Sequence, residues 1–448
     1  MRKSFKITAA ILVSLLIFFV AVFKYRQYQA NQISIPGNAA AVLKVNVDEV
    51  LKTMAANMIS NPGFYLKSND NQKTSIKKNK LASGLQIPAS IYFYAIQNQP
   101  ATAVFTRFDL KSYPNFETFL TATLRLKISR RQQGINFATS SLGNVVICYN
   151  TEEAAMVVSG EVLNFEAVLV DVLKQNKFVK LQESRFNAIK ASTHHIAYRD
   201  TKNSFSADFV TGAINFDADF STPVIVPAAN PKHGTFNNES TASIWMDAGF
   251  ATTLNKTYRF KNTTIERDSL LKYYHGYMDF EWTNSTSQTD SIITYEYNDD
   301  FEKIEKVSLQ KKEIPNFTIN VAADAKGLRS YLSRQKIINL DSGTVDKSVF
   351  PLYKIFIGGN NQDLLLGTNR DLKINPRKEN SKDFLALYVN FSKLNAQLNM
   401  SVASRYLKSL RVLALKGTAV RTNAIQLNGN LTCVNGDINA LYQLFKDF

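Results

Sequence analysis

The stretch Ala41–Val47, AVLKVNV, with Asp48 directly after it, indicates how this chain folds. Its valines alternate with Lys44 and Asn46, which is typical of a strand that turns one face toward a core. Asp48 is a residue type that commonly caps helices, and apolar residues then recur at helical spacing as far as Met58. The sequence therefore predicts a strand that turns directly into a helix.

Nearly the same unit recurs twice along the chain. Leu387–Leu394, LYVNFSKL, shares its Leu, Val and Asn with Leu43–Val50, LKVNVDEV, and Ser392 stands where Asp48 stands. A weaker copy is Ile244–Ala248, IWMDA, in which an Asp replaces the Asn. We expect two related halves, each with a strand–helix corner in which the Asn bonds its own backbone and starts the turn.

A second repeat has a shorter period. Pro114–Leu124, PNFETFLTATL, and Leu163–Leu173, LNFEAVLVDVL, share Asn, Phe, Glu and two Leu at a spacing of 49 residues. Each follows a strand-like stretch, and its apolar residues recur at helical spacing. The pattern predicts two strand-then-helix units, with Phe116 and Phe165 in equivalent positions and buried against a sheet.

Turn residues between alternating stretches predict long hairpins through the rest of the chain. The expected hairpins are Phe205–Phe220 about its central Thr-Gly, Tyr277–Trp282 with Ile292–Tyr297 across a Ser/Thr-rich turn, Tyr353–Ile357 with Leu364–Gly367, and Val412–Val420 with Ile425–Val434, followed by a closing helix in Ile438–Phe448. The expected fold class is therefore α+β: mostly antiparallel sheets with helices packed on one face, with internal repeats, preceded by one N-terminal transmembrane helix.

That transmembrane helix is predicted from Ile7–Phe23, a run of seventeen residues without a charge. A helix of this length spans roughly 26 Å, which is close to the roughly 30 Å of a bilayer's hydrocarbon core. Arg2, Lys3 and Lys6 precede the run, so the positive-inside rule predicts a cytoplasmic N-terminus and a periplasmic bulk. A cleaved signal peptide is the alternative, but this run is long and lacks an Ala-x-Ala end.

The expected order of segments follows from these features. It is a cytoplasmic tail (1–6), a signal anchor (7–23), a stalk (24–37), a first α+β domain (38–222), a Pro- and Asn-rich linker (223–241) and a second α+β domain (242–448). Cys148 and Cys433 each lie in a strand-like run, and the sequence leaves open whether they pair in the periplasm. It also leaves open O-glycosylation at Asp-Ser-apolar triplets.

The charge balance does not define a partner. The chain has 53 Lys plus Arg against 37 Asp plus Glu, a net charge of +16, which suits an acidic partner. The basic residues are, however, spread along the chain, and the local runs Lys73–Lys80 and Arg370–Lys382 are typical of solvated loops. Aromatic residues do not interleave these runs, so we expect no nucleic-acid binding.

No motif carries recognisable chemistry, so we expect no catalytic, cofactor-binding or metal site. His194 and His195 are adjacent on a strand and therefore point to opposite faces, where they cannot easily ligate one ion. No Gly-x-Ser-x-Gly elbow or phosphate-binding glycine loop occurs. The single candidate for ligand stacking is an aromatic cluster that equally suits cross-strand packing: Tyr273, Tyr274, His275, Tyr277 and Trp282.

Two segments carry a resemblance to a known class of proteins. Ile35–Val47, IPGNAAAVLKVNV, and Ile293–Phe301, ITYEYNDDF, resemble uncharacterised membrane-anchored cell-envelope proteins of Gram-negative bacteria, whose mature domain commonly opens with Ile-Pro-x-x-Ala. Many such proteins look like lipoproteins, whereas this chain lacks a Cys after its apolar run. The resemblance implies a location and an architecture, but it implies no activity and no site residue.

These observations favour a non-enzymatic binding or structural component of the cell envelope, in the inner membrane with its bulk in the periplasm. The first alternative is a carrier or chaperone for a lipid or another amphiphile, and the second is a hydrolase with an unrecognised site. The expected partners are the membrane, through Ile7–Phe23, and envelope proteins, glycan or lipid. A deep apolar cavity favours the carrier, and converging carboxylates or a Ser–His contact favour the hydrolase.

Overall fold

The structure is a computed structural model that describes residues 21–67, 83–130, 134–251, 256–260, 263–297, 301, 303–398, 407–421 and 423–446. Residues 7–20 of the predicted anchor lie outside these ranges. Within the described ranges, no helix combines the length and the apolar character needed to cross a membrane. The chain forms two compact units, Met1–Ala218 with Asp437–Tyr442 and Asp219–Gly436 with Gln443–Phe448.

The first unit begins with a helix over residues 21–30. Its strands are β1 (Ser34–Pro36), β2 (Ala39–Val45), β3 (Ile91–Ile96), β4 (Val104–Asp109), β5 (Lys127–Arg130), β6 (Asn136–Thr139), β7 (Val145–Tyr149), β8 (Glu153–Val158), β9 (Phe178–Lys180), β10 (Ile196–Arg199), β11 (Ser204–Val210) and β12 (Ala213–Ser221), which runs past its end. Its labelled helices are α1 (Val47–Ser60), α2 (Pro62–Lys67), α3 (Tyr113–Thr118, extended by a π turn over Phe119–Thr123) and α4 (Glu166–Leu173), and short 3-10 turns cover Leu181–Glu183 and Asn187–Ile189.

The second unit continues the numbering. Its strands are β13 (Ile225–Pro227), β14 (His233–Gly234), β15 (Ala242–Phe250), β16 (Thr257–Phe260), β17 (Thr263–Glu266), β18 (Tyr274–Tyr297), β19 (Lys303–Ala323), β20 (Ile338–Asn339), β21 (Thr344–Val345), β22 (Phe356–Gly359), β23 (Asp363–Gly367), β24 (Arg377–Lys378), β25 (Asp383–Asn390), β26 (Leu410–Arg421) and β27 (Ala424–Cys433). Its helices are α5 (Arg267–Leu271), α6 (Ala325–Arg334) and α7 (Phe391–Leu398), and α8 (Ala440–Phe445) closes the chain.

Both units are built on antiparallel sheets, which confirms the α+β class. In the first unit the strands pair in the order β11-β10-β2-β3-β4-β8-β7-β6-β5. In the second unit the order is β27-β26-β25-β15-β18-β19-β23-β22-β21-β20. The hairpins β22–β23 and β26–β27 and the closing helix lie where the sequence predicts them.

The two units share one strand order. The series β2-β3-β4-β8-β7-β6-β5 matches β15-β18-β19-β23-β22-β21-β20 in both pairing and sequence order, and β10 borders β2 as β25 borders β15. The counterpart of β2 is therefore β15, which holds the weaker copy IWMDA. The expected equivalence of Leu43–Val50 with Leu387–Leu394 is wrong, because the two segments occupy different positions in their sheets. Each segment is an apolar strand that leads into a helix, and this local pattern occurs on two strands that are not counterparts.

The asparagines of the two strand–helix corners play different roles. Asn390 Oδ1 accepts a hydrogen bond from the Lys393 backbone N–H at 3.1 Å, so it starts its turn as expected. Asn46 makes no such cap. Its amide instead donates to the backbone oxygens of Ser192 at 3.1 Å and His194 at 2.5 Å. The turn role is thus confirmed for Asn390 and wrong for Asn46, which ties α1 to the segment before β10.

Helices cover both faces of the first sheet, and not one face as expected. Phe116 of α3 packs with Ile147 and Tyr149, whereas Leu169 of α4 packs with Cys148, on the opposite face of β7. Successive side chains of a strand point to opposite faces, and the continuous apolar run of β7 leaves neither face polar. The predicted burial of Phe116 and Phe165 is confirmed, since each is only 2% exposed.

Helix α1 contacts the unit through polar side chains. Its buried residues are Asp48 and Asn57, whereas Leu51 is 53% and Ile59 is 80% exposed. Asn57 donates to the Asp437 backbone oxygen at 2.8 Å and fixes the helix from its polar side. The expectation that the apolar stripe of this helix faces a sheet is therefore wrong for α1.

The longest hairpin differs from its prediction. Tyr277–Trp282 does not turn back onto Ile292–Tyr297, because both lie in the single strand β18, which pairs along its length with β19. The Ser/Thr-rich segment between them carries no Gly or Pro to reverse the chain, and Thr favours strands. The chain reverses instead between Tyr297 and Lys303.

The segments predicted to be a stalk and a linker contain regular structure. Residues 24–37 hold the end of the first helix and β1, which pairs with β9. Residues 223–241 hold β13, paired with β15, and β14, paired with β24. The boundary between the two units falls at Ala218, just before this second segment.

Candidate functional site

A cleft of about 740 Å³ opens in the first unit where the helix over residues 21–30 lies beside β3 and β4. Most of its polar lining is uncharged. Its principal side chains are the four amides Gln29, Gln32, Gln86 and Gln175, the three tyrosines Tyr25, Tyr92 and Tyr94, and the charged residues Arg26, Arg107 and Asp109. The volume lies within the range of about 300–1,000 Å³ that is typical of small-molecule sites.

The helix that forms one wall is fixed to the unit by charged and polar contacts. The Arg26 guanidinium binds both carboxylate oxygens of Asp48, at 2.9 and 3.0 Å. Glu49, the next residue of α1, accepts from the Gln27 amide at 2.8 Å. Asp48 is buried, and a bidentate pair of this kind holds both groups in a defined geometry. The wall is thus an ordered part of the unit.

Two tyrosines of β3 lie between the core and the cleft. Tyr92 donates its hydroxyl to Asn31 Oδ1 at 3.0 Å. The Tyr94 ring packs edge-on against Phe178, with centroids 6.1 Å apart, and the side chain is 2% exposed. In the part of the chain that the structure describes, its hydroxyl has no hydrogen-bond partner. Burial raises the pKa of Tyr94, so the hydroxyl stays protonated and can donate.

Arg107 stands beside Tyr94 and is already neutralised. Its Nη1 lies 3.1 Å from Asp109 Oδ1, and its Nη2 forms an ion pair with Glu153. When the Gln175 amide oxygen faces the guanidinium, it accepts from Nη2 at 3.2 Å. Gln175 reaches this position just after α4 through a left-handed backbone conformation, with φ of 53°, which is costly for a residue with a Cβ.

The charges around the cleft do not favour an anion. Arg26, Arg107 and Asp109 line the cleft, and Asp48 and Glu153 pair with the two guanidinium groups from outside the lining. The chain as a whole carries +16. Each guanidinium is already paired with a carboxylate, which reduces the Coulomb attraction that a phosphate or carboxylate ligand would gain here.

The aromatic residues singled out in the sequence do not converge on one surface. They are Tyr273, Tyr274, His275, Tyr277 and Trp282. Tyr277 is buried, with the Arg377 guanidinium 4.1 Å from its ring centroid, while Tyr273 packs at a tilt against Tyr331. Trp282 lies on the other face of β18 from Tyr277, because the two residues are an odd number of positions apart along the strand. His275 is exposed. The set is not a stacking platform.

Several buried polar groups of the second unit bond one another, although Asn320 Oδ1 and Arg377 Nε have no hydrogen-bond partner within the described residues. The Asp279 carboxylate accepts from Asn320 at 3.1 Å and from Asn375 at 3.3 Å. Burial raises the pKa of Asp279. Arg377, over the Tyr277 ring, forms an ion pair with Asp363. This network fills the interior of the unit with contacts from its own chain.

One contact in the first unit resembles a catalytic pair. Thr53 Oγ1 lies 3.0 Å from His195 Nε2, beside a second cavity of about 380 Å³. The Phe209 backbone N–H donates to His195 Nδ1 at 2.8 Å, so that nitrogen carries no proton. Neutral His195 therefore has its proton on Nε2 and donates it to Thr53, which is the reverse of what a general base does. Burial lowers the pKa of His195 and keeps it neutral.

The remaining chemical groups of the first unit are also engaged. His194 and His195 lie in a bend just before β10 and not on a strand as expected; His194 Nδ1 pairs with Asp208 Oδ2 at 2.6 Å, and His195 Nδ1 lies 3.9 Å from the other oxygen of that carboxylate. Burial lowers the pKa of Lys44 to about 8, but its ammonium donates to the backbone oxygens of Lys190 and Ser192, each at 2.9 Å. No cluster of three potential metal ligands occurs among the described residues.

Sequence reasoning missed the cleft because its lining is scattered between Tyr25 and Gln175. Neither residue lies in a motif, and the segment around Tyr25 was assigned to a stalk. The one signal in the sequence lies in β3. Tyr92 and Tyr94 are two positions apart and share the buried face of this strand, where phenylalanine would pack as well without a hydroxyl. A pair of hydroxyls on a core face indicates a polar site at the edge of that core.

Comparisons with known proteins do not assign this chain to a family. No protein-family model and no curated protein matches this chain. Similar solved structures include crystal form III of TP0453, with 10% identity over 75% of this chain and 90% of that one and a TM-score of 0.24. Crystal form IV of TP0453 has 9% identity, covers 75% and 92%, and has a TM-score of 0.23. Values this low carry no argument about fold or function.

Proposed function

We propose that this chain is a non-enzymatic binding component of the bacterial cell envelope, anchored in the inner membrane by Ile7–Phe23 with its bulk in the periplasm. The observation that carries the binding role is the cleft of about 740 Å³ in the first unit, with its buried, unpartnered Tyr94 hydroxyl. A well-formed concave site with a few placed polar groups is the usual form of a small-molecule site.

The wall of the cleft supports a location close to the membrane. The described part of this helix starts at residue 21, which lies within the predicted anchor, and Arg26 joins the helix to buried Asp48. Arg26 follows Phe23 by three residues, or roughly 4.5 Å of helix. If Ile7–Phe23 spans the bilayer, the cleft therefore opens within a few helical turns of its outer surface.

The polar lining argues against the carrier alternative. An acyl chain in this cleft would cover the amides of Gln29, Gln86 and Gln175 without offering them a hydrogen bond. Leaving an amide unpaired in this way costs roughly 1–3 kcal/mol, a cost that a polar ligand would avoid. A lipid carrier needs an apolar cavity, and a chain of methylenes is a poor match for this one.

The hydrolase alternative has one contact in its favour, the Thr53–His195 pair. The tautomer imposed by the Phe209 N–H leaves His195 without a free acceptor toward Thr53. The hydrolase therefore remains the weaker proposal, and a substrate-consuming activity that survives Thr53→Ala would place any active site elsewhere.

The binding role is tested with the purified full-length chain in detergent. Thermal unfolding is measured with separated glycan, lipid and protein fractions of the envelope, for the wild type and for Gln86→Trp, which fills the cleft from an exposed position. The matched control is Leu142→Trp, exposed and outside the cleft. A ligand at a hundred times its Kd stabilises by about 2.7 kcal/mol.

We expect one fraction to raise the melting temperature of the wild type and the control, and not that of Gln86→Trp. Equal shifts in all three proteins, or none in any, would contradict binding at the cleft. A ligand recovered chemically altered would favour the hydrolase, and lipid recovered with the purified wild type would favour the carrier. Location is tested by a reporter fused after Phe448, which should be active only outside the cytoplasm.

A further inference from the structure

We propose that the ligand of the first-unit cleft is a neutral, hydroxyl-rich molecule, namely an uncharged oligosaccharide. This inference rests on the proposed binding function and names the chemistry of that same site. Three features of the lining carry it: the unpartnered donor Tyr94, the local charge balance and the ring of glutamine amides.

The first feature is the Tyr94 hydroxyl. It is a buried donor beside Arg107, and its ring is fixed by the core, so it cannot swing out to water. No group of the described residues accepts from it, whereas buried donors in folded proteins usually have an acceptor, and an acceptor from a ligand that reaches it would supply the missing hydrogen bond. Its neighbour Tyr92 already donates to Asn31, which leaves Tyr94 as the open position on the floor.

The second feature is charge. Arg26 is held by Asp48, and Arg107 is held by Asp109 and Glu153, so both guanidinium groups are neutralised before any ligand arrives. A phosphate or carboxylate would have to compete with these three carboxylates for the two guanidinium groups. The ligand that matches this site is uncharged.

The third feature is the set of amides. Each of Gln29, Gln32, Gln86 and Gln175 can donate and accept, as sugar hydroxyls do, so either partner can adapt to the other. Gln29 also donates to the Tyr25 hydroxyl at 2.9 Å and holds that ring at the rim, where it is 63% exposed. An exposed ring beside amides offers a sugar both an apolar face and hydrogen bonds.

In the second unit, the residues at the same sheet positions accept hydrogen bonds from side chains of their own chain. With Met246 of β15 aligned to Val45 of β2, the strand registers place Asp279 at the position of Tyr92 and Glu281 at that of Tyr94. Asp279 is bonded by the Asn375 amide, and Glu281 by the Ser240 hydroxyl at 2.5 Å. In the second unit, an uncharged amide and a hydroxyl therefore hydrogen-bond the residues at these positions. In the first unit, a hydroxyl-rich ligand would supply the corresponding hydrogen bond to Tyr94.

The test is calorimetric titration of the full-length protein in detergent with chitotriose, a neutral trisaccharide. Parallel titrations use glucose 6-phosphate and lipid vesicles with phosphatidylglycerol. We expect chitotriose to bind with an affinity that is independent of salt between roughly 0.05 and 0.5 M. The other two probes should not bind at the cleft.

Tyr94→Phe should weaken chitotriose binding by about three- to tenfold, because it removes one hydrogen bond and keeps the ring. The control is Tyr198→Phe. Tyr198 lies on β10, its hydroxyl donates to Asp200, and it does not line the cleft. Gln86→Trp should abolish binding. Chitotriose binding that Tyr94→Phe and Gln86→Trp leave unchanged would overturn the inference.

The outcomes separate this inference from the proposed function. Suppose that a charged probe binds at the cleft, or that only a charged glycan or lipid fraction stabilises the wild type more than it stabilises Gln86→Trp. The cleft is then a binding site, and the neutral-saccharide inference is wrong. If no fraction and no probe distinguishes the wild type from Gln86→Trp, both are wrong.

Discussion

Tyr94→Phe should make the ligand-free protein more stable. The side chain is 2% exposed, and its hydroxyl lacks a partner within the described residues. Keeping an unsatisfied hydroxyl buried costs roughly 1–3 kcal/mol. The substitution removes that oxygen alone and preserves the ring contact with Phe178 at 6.1 Å. We therefore expect the free energy of unfolding of the first unit to rise by about 1–2 kcal/mol.

The matched control is Tyr65→Phe, a change of the same size at a satisfied hydroxyl. Tyr65 is 4% exposed, and its hydroxyl donates to Asn57 Oδ1 at 2.5 Å. Removing that oxygen should lower stability by about 1 kcal/mol, because one hydrogen bond is lost while Asn57 Oδ1 keeps the Asn439 backbone N–H as a donor at 2.8 Å. The two substitutions should thus have opposite signs in one unit of the protein.

The assay must report on the first unit. Both tryptophans, Trp245 and Trp282, lie in the second unit, so tryptophan fluorescence follows the wrong part of the chain. Amide hydrogen exchange of β3 and β4 measures the first unit directly. If Tyr94→Phe lowers the protection of these strands as much as Tyr65→Phe does, the Tyr94 hydroxyl has a structural partner and the reasoning behind the site is refuted.

Three further predictions concern the core, the corners and pH. Phe116→Ala and Phe165→Ala should each cost about 3–5 kcal/mol of unfolding free energy, measured by amide exchange; a loss below about 1 kcal/mol would mean that the site collapses around the change. Asn46→Ala should cost about 2–3 kcal/mol, because buried carbonyls lose their donor, against about 1 kcal/mol for Asn390→Ala, which loses only a cap; equal losses would contradict the different roles. Burial lowers the pKa of His195 below its ordinary value, so its contribution to stability is present above about pH 6.5 and is lost as pH falls through the lowered pKa. Denaturant unfolding of His195→Gln at several pH values should show a flatter profile, and an unchanged slope would assign the titration to another group.

Turn chemistry made part of the fold predictable. Gly358 and Gly359 precede Asn360 and Asn361, and the hairpin of β22 and β23 forms there, with Gly359 at φ of 100°. A Cβ on Gly359 would meet the Asp363 backbone oxygen, so the turn requires glycine. The Ser/Thr-rich centre of β18 offered no comparable signal, and treating it as a turn was wrong because polarity alone does not reverse a chain.

Helix contacts were less predictable, because apolar periodicity indicates a face but not the surface that the face meets. Leu51 and Ile59 follow helical spacing, yet α1 is fixed through Asp48 and Asn57. A carboxylate that meets Arg26, and an amide that meets the distant Asp437, depend on residues that no local pattern connects. The cleft has the same character, since its lining comes from four separate stretches of sequence, at 25–34, 86–94, 107–109 and 175.

The shared strand order allows polar groups at the same sheet positions to be compared between the two units, of which the first contains the cleft. Both units place polar groups at the same positions of two adjacent strands, Tyr92 and Arg107 in the first, Asp279 and Asn320 in the second. Asp279 and Asn320 bond one another at 3.1 Å in the second unit, although Asn320 Oδ1 has no partner within the described residues. The Tyr92 and Arg107 side chains turn instead to separate partners and leave a cleft beside Tyr94. The first unit thus holds an open cleft beside an unpartnered hydroxyl where the second unit holds a direct contact between two side chains, and this is the position at which we propose that a ligand binds.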